Sequence, residues 1–274
     1  MQLLRSAGRL IHETALVART SGPRTGAAYA VAIAKRLPEI VRSRSLVVAD
    51  VAMRRRPVRF RVLGVNVELP GELFSGAREM YCRKVYFAQR HVTLREGDVV
   101  VDLGANMGLF TLLAAIKFQR VIAVDAQSGF RKDIEANLRS NGVLHKAAIE
   151  VALVGGGSGV FADANAFRGA SHFEGVLPPQ LSMPELMQRH ELSRIDFLKM
   201  DIEGSEFDLF RGSTDWLARV DRIAMEVHAQ AGSAAELSAI LERAGFTTEF
   251  RTPDLRVHAP FHADGYLYAY RNAS

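Results

Sequence analysis

The chain has 274 residues, of which 48% are hydrophobic and 24% charged, and its formal net charge is +5. This composition is that of an ordinary soluble protein, and the length suffices for one large α/β domain with an appendage or for two small domains. Cys82 is the only cysteine. An intrachain disulfide and a cysteine-based metal site are therefore excluded, which fits a reducing, cytoplasmic setting.

The first 57 residues predict a helical extension. Residues 1–20 and 25–49 read as two helices separated by a Ser-Gly-Pro break. Residues 1–20 have no continuous apolar core of the kind found in secretory signals, and no apolar run here is long enough to span a bilayer. Apolar residues near one face of the first helix suit either docking inside the protein or contact with a membrane or partner.

Arginines cluster at the end of this extension and just beyond it. They are Arg42, Arg44, Arg54, Arg55, Arg56, Arg59 and Arg61. Such a cluster is either a solvated face or a contact for an acidic partner or a membrane surface. The sequence therefore leaves peripheral membrane contact through the basic N-terminus open.

Residues 58–91 predict a hairpin and a helix that lead into the main domain. Apolar residues alternate from Val58 to Leu69 around Gly64, which is typical of a β-hairpin. A helix is expected to follow as far as about His91. Cys82 falls in that helix, where an inert buried thiol and a nucleophile are the two alternatives. The main domain is expected to occupy residues 92–274.

The central stretch of the main domain runs from Val99 to Phe110. An apolar β-branched run ends at Asp102, and Gly104 and Gly108 then bracket a tight turn before a helix at 109–118. Glycines allow a sharp turn and a close approach by a ligand, and the following helix points free N–H groups into the same crevice. The pattern predicts a small-molecule site at the carboxyl end of this first strand.

The spacing of the glycines in this turn limits which class of ligand it can bind. Gly-x-x-x-Gly is neither the nicotinamide fingerprint nor a phosphate-binding loop. Asp102 before the turn repels a pyrophosphate but suits a ligand that carries an amino group. Asp125, at the end of the second strand, is placed to accept hydrogen bonds from both hydroxyls of a ribose. An ammonium and a ribose together indicate S-adenosylmethionine.

The rest of the chain alternates between helix and strand. Helices are expected at 130–141, 181–190, 205–211 and 234–244, and strands at 146–154, 195–201, 222–228, 247–251 and 266–270. Residues 155–159 read as a flexible connection, Val160 as the start of a short hairpin, and 162–180 as an irregular loop near the substrate. This order predicts an α/β fold with a doubly wound, mostly parallel sheet.

Four polar side chains are expected to meet at one edge of that sheet. Asp201 and Glu203 follow the fourth strand, and Glu226 and His228 end the fifth. A histidine that is neutral near pH 7 can accept a proton from a substrate hydroxyl, with Glu226 or Glu203 holding its tautomer. The alternatives are a structural histidine and acids that merely cap a helix. A divalent metal on Asp201, Glu203 and Glu226 is a further, less favoured alternative.

Four segments together resemble the FkbM family of S-adenosylmethionine-dependent methyltransferases. They are Val101-Asp-Leu-Gly-Ala-Asn-Met-Gly-Leu-Phe-Thr111, Asn137-Leu-Arg-Ser-Asn141, Phe197-Leu-Lys-Met-Asp-Ile-Glu-Gly-Ser-Glu206 and Glu226-Val-His228. The glycine turn indicates only a class I methyltransferase, whereas the third segment is far more specific to the family. The resemblance implies a Rossmann-like fold and, usually, O-methylation of sugars or natural products.

The resemblance also implies roles for individual residues. Asp102, Gly104, Asn106 and Gly108 would hold the methionine part of the cofactor, Asp125 would take the ribose, and Leu153 would pack near the adenine. Ala126, next to Asp125, is also expected to contact the cofactor. Asp201 would lie near the transferred methyl group. The family often has Glu-Pro after its second strand where this chain has Asp125-Ala126, so the acid here is one methylene shorter.

The expected function is therefore O-methylation of a small-molecule or glycan acceptor. A nicotinamide-dependent oxidoreductase is an alternative that the glycine spacing disfavours, and a non-catalytic binding or scaffold protein is another. A nucleic-acid partner is not expected, because the fourth strand lacks the Asn/Asp-Pro-Pro-Tyr/Phe sequence of many amino-directed nucleic-acid methyltransferases. No aromatic-basic surface pattern stands out either.

Overall fold

A computed structural model describes residues 2–117, 120–155 and 178–271. The chain folds into two compact units, residues 1–85 and 86–274. The connection expected at 155–159 and the hairpin expected from Val160 lie almost wholly outside the described residues, as does most of the irregular loop at 162–180.

The first unit consists of helices and one hairpin. Its helices are α1 (Gln2–Ser21), α2 (Pro23–Lys35), α3 (Leu37–Ser43), α4 (Val47–Asp50) and α5 (Phe74–Ala77), and its strands are β1 (Val58–Val62) and β2 (Val65–Leu69). Short 3-10 turns occupy Val51–Met53 and Gly71–Leu73, and a π-helical turn occupies Arg78–Cys82. Helix α1 packs against α2, β1 and the π-helical turn.

The predicted hairpin is present, with its turn at the expected glycine. Val62 pairs with Val65 across a two-residue loop. Leu63 and Gly64 both have positive φ, 48° and 85°, as a type I′ turn requires. The twist of this turn matches the twist of the strands. The turn and the alternation of apolar residues therefore specify the same pairing register for β1 and β2.

The helix predicted at 1–20 is present as α1, but the other two helices predicted before the main domain are shorter in the structure. The expected helix at 25–49 divides into α2, α3 and α4, since Pro38 has no N–H to continue the hydrogen-bond ladder of α2. Arg44 then adopts a left-handed conformation that ends α3. The helix expected to reach His91 stops after the π-helical turn, and Lys84 at φ 59° marks the break.

A buried ionic network holds the first unit together. The Arg78 guanidinium lies 2.8 Å from Glu13 and 3.0 Å from Asp50, and the Tyr29 hydroxyl donates to Asp50 over 2.7 Å. Each buried charge thus has partners, which buried charges require. Cys82 is buried beside this network, and burial raises the pKa of its thiol to about 12. The thiol is therefore protonated at neutral pH, which favours the inert alternative over the nucleophile.

The second unit alternates between strands and helices. Its strands are β3 (Val99–Leu103), β4 (Arg120–Asp125), β5 (Ala147–Val151), β6 (Leu153–Val154), β7 (Gln180–Leu181), β8 (Phe197–Met200), β9 (Arg222–Val227), β10 (Thr247–Arg251), β11 (Val257–His258) and β12 (Gly265–Tyr270). Its helices are α6 (Leu109–Lys117), α7 (Phe130–Ser140), α8 (Met183–Arg189), α9 (Glu206–Arg211) and α10 (Ala234–Arg243). Ser182 and Glu185 have the spacing of a capping box, and this box is formed at the start of α8.

The central sheet has eight strands in the order β11-β10-β12-β9-β8-β3-β4-β5. Strands β9, β8, β3, β4 and β5 are mutually parallel, and β12 is inserted antiparallel between β9 and β10. The predicted doubly wound, mostly parallel α/β sheet is therefore confirmed. The short β11 was not expected from the sequence.

Strand order reverses between β3 and β8. From β3 the chain builds outward through β4 and β5, and it then returns to the other side of β3 to build β8 and β9. In such sheets ligands bind outside the carboxyl ends of the strands at the point of reversal. The buried side chains of Val100, Val101 and Leu198 fill the interior of β3 and β8.

Among the described residues, no helix combines the length and the apolar character needed to cross a bilayer.

Candidate active site

The glycine turn after β3 is packed directly against the end of β8. Gly104 has φ 73°, and a Cβ there would collide with the Asp201 carbonyl oxygen. Gly108 has φ 78°, and a Cβ there would press on Ile134 at 3.1 Å. Glycine is thus required at Gly104 both by conformation and by space. The two sequence-predicted parts of the site, the turn and the acids after β8, are neighbours.

Hydrogen bonds fix the shape of this turn. The N–H groups of Gly104 and Ala105 both donate to the Val124 carbonyl, over 2.9 and 3.0 Å. The Asn137 side chain, which belongs to a segment of the family resemblance, donates to the Met107 carbonyl over 2.9 Å. The turn is consequently tied to β4 on one side and to α7 on the other.

Asp125 accepts two backbone hydrogen bonds at the end of β4. The N–H of Asn106 donates to Oδ2 over 2.7 Å, and the N–H of Gln127 donates to Oδ1 over 2.8 Å. Burial raises the pKa of this carboxyl, although both hydrogen bonds act in the opposite direction. Each oxygen keeps a further acceptor position. The side chain is thus oriented and still able to accept from a ribose.

Two further residues expected to contact the cofactor, Ala126 and Leu153, lie near Asp125. Ala126 follows it and is half-buried, and the N–H of Ala152 donates to the Asp125 carbonyl over 3.1 Å. Leu153 is the next residue and is buried at 4% exposure. The structure therefore brings the ribose and adenine candidates to one place.

Asp102 has contacts that the sequence did not anticipate. Its side chain is completely buried, Oδ2 accepts from the Thr111 hydroxyl over 2.5 Å, and Oδ1 lies 3.1 Å from Nζ of Lys199. Both oxygens are thus occupied by protein groups. The contact with the cofactor ammonium stays a prediction, and the observed geometry instead makes Asp102 the partner of Lys199.

Lys199 is a member of the site that sequence reasoning missed. Its ammonium is buried, donates to the Gly104 carbonyl over 2.7 Å and to the Leu103 carbonyl over 3.3 Å, and lies 3.9 Å from Asp201. Burial by itself lowers the pKa of this ammonium, but the charges of Asp102 and Asp201 outweigh it, and the net pKa is raised. A lysine inside an apolar strand was the available signal, since lysine is almost never buried without a partner.

His228 is held by a second carboxylate that was missed, Glu206. Nδ1 of His228 lies 2.6 Å from Oε1 of Glu206, whose side chain is fully buried. Burial alone lowers the pKa of His228, but Glu206, Asp201 and Glu203 together raise it to about 10. The neutral imidazole expected at pH 7 is therefore replaced by an imidazolium. The tautomer-holding acid is Glu206, not Glu226 or Glu203.

The other nitrogen of His228 faces the acids after β8. Nε2 lies 3.4 Å from Glu203 and 3.9 Å from Asp201, and the three side chains offer ligand atoms within 4.8 Å of one another. Such a group has the donors for a cation, but with His228 in place of the predicted Glu226. Glu226 is linked to the group by Tyr86, whose hydroxyl donates to Asp201 over 2.9 Å and reaches Glu226 at 3.4 Å.

Tyr86 carried no sequence signal, because it lay in the predicted helix that ended at about His91. Burial, followed by the charges of Asp201 and Glu226, raises the pKa of its phenol well above the usual value. Tyr86 is therefore a hydrogen-bond donor at any physiological pH. It orients Asp201 rather than exchanging protons with it.

Glu203 is held in a strained backbone conformation. Its φ is 56°, in the left-handed region, although its side chain is half exposed. For a residue with a long side chain this region costs roughly 1–2 kcal/mol, and such strain is concentrated at functional sites. Asparagine tolerates the conformation better.

Replacing Glu203 by asparagine should raise the free energy of unfolding by up to about 1 kcal/mol and lower methyl-transfer turnover. Glu191 is the matched control, because it also has positive φ (53°) but follows α8 rather than the strand end that carries the acids. E191N should stabilise to a similar extent and keep full turnover. Thermal unfolding measures the change in stability of both variants, and an activity assay measures their turnover. Equal turnover in E203N and E191N would show that Glu203 has no role in the site.

The charges of the site fit a cationic ligand. Six carboxylates, from Asp102, Asp125, Asp201, Glu203, Glu206 and Glu226, accompany two cations, Lys199 and His228. An ammonium and a sulfonium match this excess of negative charge, and the free acceptor positions of Asp125 match a ribose. The residues present therefore fit S-adenosylmethionine.

The sheet is mostly parallel, and a glycine turn, a strand-end acid and an excess of carboxylates lie where its strand order reverses. Together these features define a Rossmann-like class I methyltransferase. Residues 102–248 match the model of the methyltransferase FkbM domain, which is more than half of the chain. The protein belongs to the FkbM methyltransferase family. The resemblance noted from the sequence is thereby confirmed, and neither the nicotinamide oxidoreductase nor the scaffold alternative is favoured.

Two relatives with assigned names are similar to the chain. It is 28% identical over 250 residues to the AMB antimetabolite synthetase AmbE of Pseudomonas aeruginosa, matching 71% of this chain but 11% of AmbE. It is 27% identical over 213 residues to the 31-O-demethyl-FK506 methyltransferase FkbM of Streptomyces tacrolimicus, matching 62% of this chain and 80% of that protein.

Solved structures show only slight similarity. An rRNA methylase from Streptococcus thermophilus aligns over 70% of this chain and 96% of its own, at 14% identity and a TM-score of 0.43. A putative methyltransferase from Streptococcus mutans aligns over 68% and 94%, at 11% identity and a TM-score of 0.40. The assignment to the family rests on the family match and not on these structures.

Proposed function

We propose that the protein transfers a methyl group from S-adenosylmethionine to a hydroxyl of a sugar, glycan or natural product. The family supports methyl transfer, and the name of the Streptomyces tacrolimicus relative describes methylation of an oxygen. The observation that carries the proposal is the His228–Glu206 pair, which lies beside Asp201 and thus beside the glycine turn. It supplies a proton acceptor where a hydroxyl nucleophile needs one.

The cofactor supplies an electrophilic methyl group on a positively charged sulfur. Around it, Asp125 would accept hydrogen bonds from the ribose, and the carboxylates at the ends of β8 and β9 would favour the positive charge. Tyr86 and Lys199 keep Asp201 and the Gly104 carbonyl in place. Much of the rate then comes from holding the acceptor oxygen in line with the methyl group.

His228 accepts the hydroxyl proton in this proposal. Nε2 faces Glu203 and Asp201, while Nδ1 shares its proton with the buried Glu206, which stabilises the imidazolium that forms. Because the pKa of His228 is about 10 in the unliganded protein, only the minor neutral form is competent near pH 7. Asp201 and Glu203 are the alternative proton acceptors, and the pH dependence of the rate separates them from His228.

Replacing Asp125 by alanine should weaken binding of S-adenosylhomocysteine by roughly 1–3 kcal/mol, because charged hydrogen bonds to the ribose are lost. Glu96→Ala removes an exposed acid of the same unit and should leave the dissociation constant unchanged. Isothermal titration of both variants measures the effect. If D125A binds as tightly as the wild type, Asp125 does not hold the ribose.

The direct test is a screen for methyl transfer. The protein is incubated with radiolabelled S-adenosylmethionine and matched sets of hydroxyl, amine and thiol acceptors, with and without chelator. Hydroxyl acceptors alone should be labelled, and chelator should have no effect if His228 rather than a metal activates the hydroxyl. Isothermal titration should show binding of S-adenosylhomocysteine and none of NAD; labelling confined to amines, or binding of NAD alone, would refute the proposal.

A further inference from the structure

The N-terminal 57 residues carry a concentrated positive charge. They contain eleven arginines and lysines against three acids, a formal charge of +8 in a chain whose total is +5. Two of the three acids, Glu13 and Asp50, are buried and paired with Arg78. The third, Glu39, lies 3.0 Å from Arg36 on the surface. The charged groups on the outer surface of this segment are therefore almost all basic.

The same segment exposes an unusual amount of apolar surface. Of the eight large apolar side chains that are exposed within the described residues, six lie here, and together they are called the N-terminal apolar surface. They are Ile11, Val31, Leu37, Val41, Val47 and Val51, with exposures of 43% to 71%. Such a concentration of exposed large apolar side chains in one basic segment is more typical of a contact site than of free surface.

The arrangement of these side chains along the helices is regular. Leu37 and Val41 are four residues apart on α3, and Val47 and Val51 are four residues apart in the continuous helical backbone that begins with α4. Residues at this spacing lie on one face of a helix. Ile11 contributes to a groove of about 500 Å³ between α1 and α2, which is otherwise lined almost entirely by apolar groups.

We propose that the N-terminal apolar surface docks the protein onto an anionic lipid membrane. Apolar side chains that enter the headgroup region, bordered by arginines that contact anionic headgroups, are the two features by which helices lie on a membrane without crossing it. Each basic residue close to an anionic bilayer contributes about 1 kcal/mol. Arg54, Arg55 and Arg56, all exposed, immediately follow the helices that carry this surface.

Charge complementarity favours a lipid surface over other partners. A nucleic acid, or a protein surface that is only acidic, would satisfy the arginines but would leave the valines and isoleucine in water. A second copy of the chain would bring one +8 segment against another, which electrostatic repulsion opposes. An anionic bilayer satisfies both the charge and the apolar side chains.

The test is vesicle flotation with the full chain. Vesicles of phosphatidylcholine and phosphatidylglycerol in equal parts should carry the protein upward, and vesicles of phosphatidylcholine alone should not. Raising the salt should weaken binding, since the Debye length falls from about 10 Å at 0.1 M to about 3 Å at 1 M. Binding is read without any methyl transfer, so its failure leaves the proposed function untouched.

Two sets of variants separate the charged and apolar contributions. R54E/R55E/R56E, and separately V47S/V51S, should each lower the fraction bound by more than about tenfold. The matched controls reverse three exposed charges of the second unit (R95E/K132E/R219E) or replace one exposed valine there (V257S, 63% exposed). The controls should bind like the wild type, and circular dichroism should show that every variant is folded.

Several outcomes would overturn the proposal. Equal binding to both vesicle types, or equal losses in the controls, would exclude a specific anionic-lipid surface. If V47S/V51S floats like the wild type, the arginines act as a general polyanion site without insertion. A dimer in solution that the same substitutions dissociate would show that a second copy covers this surface instead.

Discussion

Replacing Lys199 by methionine should lower the free energy of unfolding by about 3–5 kcal/mol and abolish measurable binding of S-adenosylhomocysteine. The substitution keeps the length of the side chain but removes its charge. Asp102 would then be a completely buried carboxylate whose remaining partner is the Thr111 hydroxyl. The Gly104 carbonyl would lose the donor that holds it at 2.7 Å.

If K199M does not fold, the double variant D102N/K199M still allows the role of Lys199 to be tested. Removing both charges relieves the buried carboxylate, so the double variant should regain most of the lost stability. Its affinity for S-adenosylhomocysteine should remain reduced, because the Gly104 carbonyl still lacks its donor. Urea unfolding and isothermal titration give the two quantities separately.

An exposed lysine serves as the control. Lys132 lies on the surface of α7, and K132M should change the free energy of unfolding by less than about 0.5 kcal/mol. If K199M proves as stable as K132M, the Lys199–Asp102 pair does not support the glycine turn.

Replacing His228 by glutamine should lower kcat by about 10²–10⁴-fold, as expected for loss of a general base, and change cofactor affinity only slightly. His190 is a matched control in the same unit. It also pairs with a carboxylate, Glu150 at 2.9 Å, and its side chain is 12% exposed against 13% for His228. H190Q should keep wild-type turnover; a comparable loss in both variants would point to a structural effect.

The pH dependence of the rate should identify the base. With His228 as the base, kcat/KM of the wild type should rise about tenfold per pH unit from neutrality toward the pKa of about 10. If Asp201 or Glu203 were the base, the rate would be flat in that range. Glu206→Gln removes the negative partner of His228, so the rise should move to lower pH, toward the ordinary histidine value of about 6.5.

The same raised pKa has a consequence for stability. Protonated His228 stabilises the folded state fully below its unfolded pKa of about 6.5, and this contribution is lost as the pH rises through about 10. The stability advantage of the wild type over H228Q should therefore shrink between these two values. Thermal unfolding of both proteins at a series of pH values measures it.

Local patterns in the sequence predicted much of the second unit. The apolar run ending at Asp102, the glycines at Gly104 and Gly108, and the strand ending at Asp125 all have the predicted local structure. They are short-range signals, since β-branched runs form buried strands and glycines permit positive φ whatever the rest of the chain does. The hairpin around Gly64 was predictable for the same reason.

Two of the three helices predicted before the main domain were predicted too long, whereas the one at 1–20 matches α1. Apolar and small residues continue through the breaks after α2 and α3, so periodicity alone does not show where each helix ends. Pro38 prevents α2 from continuing, and the left-handed conformation of Arg44 ends α3. Tyr86 was missed for the same reason, because its segment read as one continuous helix.

The sequence by itself determined the α/β class, the family and the residues at the strand ends, because each depends on neighbours in the chain. Only the tertiary structure decided which charges meet. Lys199 reaches Asp102 across two adjacent parallel strands, and His228 reaches Glu206 from the end of β9 to the start of α9. The His228–Glu206 pair raises the pKa of His228, and the Lys199–Asp102 pair supports the glycine turn. Neither pair could be predicted from the sequence, because an electrostatic interaction depends on distance in space and not along the chain.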